Sequence, residues 1–378
     1  MSEIWLNDDE NDDDAFELPE LMDFVPEKTD SDQTKLSALE ERLQTNSPLN
    51  SRSSPAIDER IFSKIIIEIA TIINEVIPNS VIKGIGPAFH ECGSFINFSI
   101  NENTKEIQSV WFFFGLAIFI CDEKGNENAS INELLLQLWI KKIQLKLHES
   151  GIAQHSDIVI KTNSFKLVFE HKNIPAKITL LFNASEALKR SQLIRLYTRL
   201  CPNMIKIGYL YNNLILTNPE LHEFTNASLC YLIIHFLQQT ERIGILHPSL
   251  IQSSSDLKIN ESISNPSPKI STDSVAFLCY GFAKFYAAFN FEIFIIDIGK
   301  KELCFWTETD QSKKDAVGIR CSFSGKNLGK SISLKCLEKF VQKMKEIVAA
   351  FENGKEAEAF PADIEEFAKK PLPPKPKK

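Results

Sequence analysis

The chain has 378 residues, 43% apolar and 10% aromatic, with 27 Phe against 14 Gly, which suits a globular protein of two or three parts with packed cores. No apolar run reaches about 18 residues, so no membrane span is expected, and the acidic N-terminus lacks the basic-then-apolar pattern of a signal peptide. Residues 1–32 hold thirteen Asp or Glu and one Lys, net −12 of a whole-chain −8, so the remainder is nearly neutral and bulk charge does not point to nucleic acid.

In chain order, residues 1–55 read as a disordered acidic arm with one short helical pattern at "KLSALEERLQ". From "IDERIFSKIIIEIATIINEVI" a helical period sets in, with Asp58 as the expected N-cap. Strand patterns follow in "SFINFSI", "VWFFFGLAIFI", "DIVIKT", "FKLVFEH" and "AKITLLF", interrupted by one helical run, "INELLLQLWIKKIQLKLHES". Strands around a helix predict a mixed α/β layer. After Ala184 the pattern turns helical: "ALKRSQLIRLYTRL", "NMIKIGYLYNNLIL", "ASLCYLIIHFLQQ" and "DSVAFLCYGFAKFYAAF". A Ser/Asn/Pro-rich insert at 252–272 reads as a loop. A last helix, "LKCLEKFVQKMKEIVAAFE", precedes a Pro/Lys-rich tail over 351–378 that ends in "KKPLPPKPKK". The eight cysteines, Cys92, Cys121, Cys201, Cys230, Cys279, Cys304, Cys321 and Cys336, form no C-x-x-C pair, and most sit in apolar runs. Buried free thiols in an intracellular, reducing compartment are expected, with cytoplasm and nucleus not distinguished.

Four stretches of the helical half in this order carry a resemblance: "ALKRSQLIRLYTRLCPNMIKIGYLYNNLIL", "NASLCYLIIHFLQQTERIGILHPSL", "DSVAFLCYGFAKFYAAFNFEIFIIDI" and "IRCSFSGKNLGKSIS". Over roughly residues 57–350 the chain resembles the noncanonical poly(A) polymerases and terminal uridylyltransferases of the DNA polymerase beta-like nucleotidyltransferase superfamily. The resemblance implies an α+β fold: a nucleotidyltransferase-like mixed sheet with helices over 81–184, and a helical poly(A)-polymerase-associated central domain over 185–350. It also implies that the helix at 56–80 joins the central domain.

Enzymes of that family hold two Mg²⁺ with three aspartates, two alternating on a strand after a Gly-Ser turn and one on a neighbouring strand. Carboxylates suit this work because hard divalent ions take oxygen ligands and must neutralise a triphosphate. Here Gly93 and Ser94 match the turn, while Gly115, Ala117 and Thr179 stand at the three aspartate positions. No acid lies within the two strand segments to replace them. The family's Lys and Trp that face triphosphate and base correspond to Tyr209 and Tyr211, and its acidic recognition stretch becomes Ile319–Cys321. Phe323, Gly325 and Asn327 match and are expected to serve turns and packing.

Other candidates weigh less. Asp157 precedes an apolar strand like a metal motif, but its alternate position is Val159, and a solvated strand-start residue is expected. Asp122 and Glu123 read as turn residues, the seven His lack metal-ligand spacing, and "KGIGPA" lacks the Lys-Ser/Thr of a phosphate loop and reads as a turn. The expectation is therefore a catalytically inactive nucleotidyltransferase-like protein without cofactor, Mg²⁺ and NTP being the family's. It would act as a scaffold or regulatory subunit of an RNA-processing or small-RNA complex. The alternatives are a divergent active RNA 3′-terminal nucleotidyltransferase and a non-catalytic RNA-binding module. The apolar run around Gly115 and Ala117 further predicts a cleft narrowed by side chains. Within the acidic arm, Trp5, Phe16, Leu21 and Phe24 are the expected anchors for a protein partner, RNA contact being weak.

Overall fold

The computed structural model describes residues 59–87, 96–100, 107–121, 132–161, 164–174, 176–251, 271, 273–306, 315–355 and 359–360. The arm with Trp5, Phe16, Leu21 and Phe24, the turn residues Gly93 and Ser94, Asp122, Glu123, nearly all of the 252–272 insert, and the Pro/Lys segment lie outside them.

Helix α1 (Glu59–Val76) repeats isoleucine at helical spacing and buries Ile65, Ile69, Ile72, Ile73 and Val76. Strands β1 (Ser80–Ile85), β2 (Ile96–Ile100) and β3 (Ile107–Ile120) follow, then helix α2 (Glu133–Glu149), and strands β4 (Ala153–Lys161), β5 (Ser164–His171) and β6 (Ala176–Phe182). The sheet order is β1-β3-β6-β5-β4, with β2 also paired to β3. Strand β3 is long enough to take both β2 and β1 antiparallel on one edge, over Ile107–Phe112 and Gly115–Ile120. Its other edge pairs with β6 in parallel, and the remaining pairs are antiparallel. A parallel pair cannot be closed by a tight turn, and α2, β4 and β5 fill that connection.

Helices α1 and α2 cover one sheet face. Asn132 caps α2 by accepting from the Leu134 amide at 2.9 Å, and Leu136, Ile140, Ile143 and Leu147 form its buried stripe. These pack with Ile69, Ile73, Leu116, Ile118, Ile178 and Leu180 into one core. Helix α1 thus packs with the sheet, against the expectation that it joins the helical half. The reason is local: only Ile77, Pro78 and Asn79 separate it from β1, and Asn79 turns the chain at φ 63°.

The helical half contains α3 (Ser185–Leu200), α4 (Asn203–Thr217), α5 (Asn226–Gln239), α6 (Val275–Ala288) and α7 (Leu334–Glu352). Between α6 and α7 lies a small ribbon of β7 (Phe294–Ile295) and β8 (Cys304–Phe305). Ser274 and Ser333 cap α6 and α7 by accepting from Phe277 and Cys336 amides. Helix α5 is buried from Ser228 to Gln238 and forms the centre of the larger core. Each fully buried Leu, Ile or Phe there contributes about 1.5–3 kcal/mol relative to exposure. Among the described residues no helix is long and apolar enough to cross a membrane.

Candidate functional site

The second sheet face is where the sequence placed the catalytic positions. Strand register makes Gly115 of β3 and Thr179 of β6 direct partners, with Ala117 beside Leu181. Alternation turns Gly115, Ala117 and Thr179 to one face, while Leu116, Ile118 and Leu180 enter the core beneath α1 and α2. The three positions are therefore neighbours, and none is a carboxylate.

Strand β1 contributes Ile85, which pairs with Gly115, and Lys83, which pairs with Ala117. Ile85 lies directly over Gly115. A Cβ at Gly115 would meet Ile85 Cγ1 at 2.8 Å and the Ile85 carbonyl oxygen at 3.2 Å. Ala117 is fully buried, Thr179 is 8% exposed, and Ile85, Ala117, Phe119 and Leu188 of α3 form a separate small core. The loop after β1 is fastened to α3 by the Gly86 amide, which donates to Ser191 Oγ at 3.0 Å. Gly86 itself has φ 77°, the left-handed region that glycine enters without penalty. The sequence read this stretch as a turn. Lys83, Gly84 and Ile85 are strand instead, and the turn begins at Gly86.

The same face continues past Thr179 with Val168 of β5 and Asp157 of β4, its successive register partners. Asp157 thus stands two strands away, about 10 Å from Thr179 at ordinary strand spacing. It is exposed and sits within β4 rather than at its start. Glu170, paired with Lys177, and Lys166, paired with Leu181, share this face. Among the described residues no group of three or more His, Cys, Asp or Glu could hold a metal ion. A metal held by carboxylates does not fit the three central positions, where Thr179 has the one side-chain oxygen.

Beyond α3, the positions matched to the family's recognition stretch are engaged within the chain. Ile319 is buried, Arg320 pairs with Asp297 at 3.1 Å, and the Cys321 thiol donates to Glu186 Oε1 at 3.5 Å. Glu186 also pairs with Arg190 one turn along α3 and with Lys326 at 3.7 Å. Burial pushes the nearby Tyr231 phenol up to about 12. Tyr211 points away from any cleft: it is 1% exposed, donates to the Cys279 carbonyl at 2.8 Å and packs on Phe282. Tyr209 is half-buried. Asn327 serves the local turn by accepting from the amides of Ile319 and Gly329 and donating to Val317 O and Asp315.

Sequence reasoning missed Ile85. Its sole signal was the short apolar run "SVIKGI", masked by the two glycines that follow one another at alternate positions.

No family model matches the sequence, and no curated protein matches it. The structure is similar to solved ones. The Cid1 poly(U) polymerase with MgGTP bound shares 12% identity over 78% of this chain and 92% of that one, at a TM-score of 0.58. The GLD-2/RNP-8 complex gives 16%, 85% and 98%, at 0.59. A cytoplasmic RNA terminal U-transferase gives 11%, 85% and 98%, at 0.60. These comparisons correct the expectation of no cofactor. Cid1 was solved with MgGTP and with Mg 3′-dATP, so Mg²⁺ and nucleotide are ligands known for this fold. The sheet with its helical half is the fold of the noncanonical poly(A) polymerases and terminal uridylyltransferases.

Proposed function

We propose that this chain is a catalytically inactive nucleotidyltransferase-like protein, acting as a scaffold or regulatory subunit of an RNA-processing or small-RNA complex. The observation that carries the reading is Ile85 seated over Gly115, with Ala117 fully buried beside it. Transfer of a nucleotidyl group needs carboxylates at a solvated, ion-accessible face. Here Ile85 and α3 pack against the matching positions, with Ala117 fully buried, Thr179 nearly so and Gly115 half-buried. A carboxylate at Gly115 would have to displace the Ile85 side chain, and one at Ala117 would be buried beside Phe119 with Lys83 as the neighbouring cation among the described residues.

A protein partner is supported by the GLD-2/RNP-8 complex among the similar folds. Within this chain the proposed docking segment is the acidic arm, with Trp5, Phe16, Leu21 and Phe24 as apolar anchors and the surrounding carboxylates steering it to a basic surface. The seven cysteines described are all free, which supports a reducing compartment.

Two experiments test these parts separately. Purified chain incubated with single-stranded RNA, each NTP and Mg²⁺ or Mn²⁺ is expected to leave the RNA length unchanged; extension refutes the inactive reading. Deleting residues 1–30 is expected to leave thermal stability unchanged while reducing recovery of partners from extract. Equal recovery refutes the docking role.

One observation favours a second reading, a divergent active RNA 3′-terminal nucleotidyltransferase. Asp157 and Glu170 share the sheet face with Thr179, and Cid1 and the U-transferase are enzymes by name. Substituting these two carboxylates separates the readings.

A further inference from the structure

We propose that the groove between α6, Trp306 and α7 is the seat of the chain's own Pro/Lys segment, Pro371–Lys378. The groove has a volume of about 730 Å³ and lies far along the chain from the sheet face described above. Phe289, Phe291 and Trp306 line it, and α7 presents Leu334, Leu337 and Val341. Leu334 is 57% exposed, an apolar side chain at the mouth with little to cover it. The Trp306 indole nitrogen donates to the Phe291 carbonyl at 3.0 Å, which fixes the ring. Aromatic grooves of this kind take proline-rich segments, because a polyproline helix is extended before binding and loses little entropy on docking.

Charge selects the same occupant. Glu292, Asp315 and Glu338 line the groove against Lys345 alone. Glu292 and Glu338 are exposed, and neither has a cationic partner among the described residues. The segment "PLPPKPKK" supplies four prolines and three lysines. The acidic arm, with the opposite sign, is disfavoured there.

The chain can reach. Phe360 is 3% exposed and packs edge-on against Tyr211 at 5.3 Å between centroids, which anchors the chain beyond α7. Ten residues separate it from Pro371, enough for about 33 Å when extended. The whole of α7, from Glu352 back to Leu334, measures about 27 Å.

The test uses the full chain with a photo-crosslinking benzoylphenylalanine at Leu372. Irradiation is expected to give an intramolecular product whose crosslinked peptides contain residues 289–292, 306 or 334–345. Glu292→Lys with Glu338→Lys should lower that yield at least about fivefold. Adding Lys375→Glu, Lys377→Glu and Lys378→Glu to that variant should restore it. Raising NaCl from 50 to 500 mM should lower the wild-type yield as well, since surface attraction is screened; this arm stands even if a variant fails to fold. Crosslinks to other parts of the chain, crosslinks between two copies, or a yield indifferent to both charge reversal and salt would overturn the proposal. Capture of a proline-rich peptide from another protein in preference to this segment, seen as loss of the intramolecular product, would overturn it too.

Discussion

The helical half buries polar side chains among rings and gives many of them partners, although Asn213 Oδ1 and Gln238 Oε1 find none there. His235 Nδ1 lies 3.1 Å from the Tyr286 hydroxyl, which in turn donates to Leu232 O at 2.9 Å. Gln238 Nε2 donates to both Tyr197 Oη and Ile298 O, and Tyr211 to Cys279 O. The central face of the sheet does the reverse. Gly115, Ala117, Ile85 and Leu188 meet there, with Thr179, Lys83 and Ser191 as the polar side chains at the border. A buried polar group is stable when its partner is built in and costs free energy when it is not. On the β3 part of the sheet face apolar packing replaces polar groups, so residues 116–120 are buried on both sides of the strand, as the run "FGLAIFI" suggests.

The largest effect should come from forcing a carboxylate back onto that face. Gly115→Asp is expected to destabilise the chain by about 1–3 kcal/mol, the range for forcing extra atoms into a packed site, here against Ile85. Urea denaturation measures it. Adding Ile85→Ala removes the atoms nearest the new side chain and should recover part of the loss, a coupling of about 0.5–3 kcal/mol. A Gly115→Asp chain as stable as wild type would show that the face is open, and the contrast between the two regions would fail.

On the helical side, pH is the sharper probe. Burial lowers the His235 pKa to about 3. The unfolded chain takes up a proton near the ordinary value of about 6.5, while the folded chain does not until near 3. The contribution is therefore complete above about pH 6.5 and falls with acidification by about 1.4 kcal/mol per unit, close to 2 kcal/mol by pH 5. Burial lowers His171 in the same direction. Replacing His235 with Leu should flatten most of this slope between pH 7 and 5.

Smaller still, Tyr211→Phe removes one buried hydrogen bond and should cost about 1–2 kcal/mol. Asp157→Asn, at an exposed position, should change stability by less than about 0.5 kcal/mol.

Much of this fold was legible because its elements are strongly periodic. "AKITLLF" and "LKCLEKFVQKMKEIVAAFE" coincide with β6 and α7, and the helices matched to the family follow in the predicted order. The resemblance put Thr179 on a strand neighbouring that of Gly115, and the strand register makes the two direct partners. What failed was information that does not lie in local pattern. The isoleucines of α1 announce an apolar face, but not which core it meets. The β1 strand is partly buried on both faces, so it lacks alternation, and its glycines resemble a turn. The position of Ile85 over Gly115 depends on a pairing thirty residues apart, which no window of sequence contains. Tyr211 belongs to a helix buried on several sides, so its direction could not be read from spacing alone.

The proposed absence of nucleotidyl transfer chemistry on this face is open to direct test in an RNA extension assay that compares wild type with an Asp157→Asn/Glu170→Gln double variant. With Mg²⁺ or Mn²⁺, each NTP and a labelled single-stranded RNA, neither protein is expected to extend the RNA over a day. Extension by the wild type that disappears in the double variant would contradict it and assign the remaining carboxylates of this face as the active site.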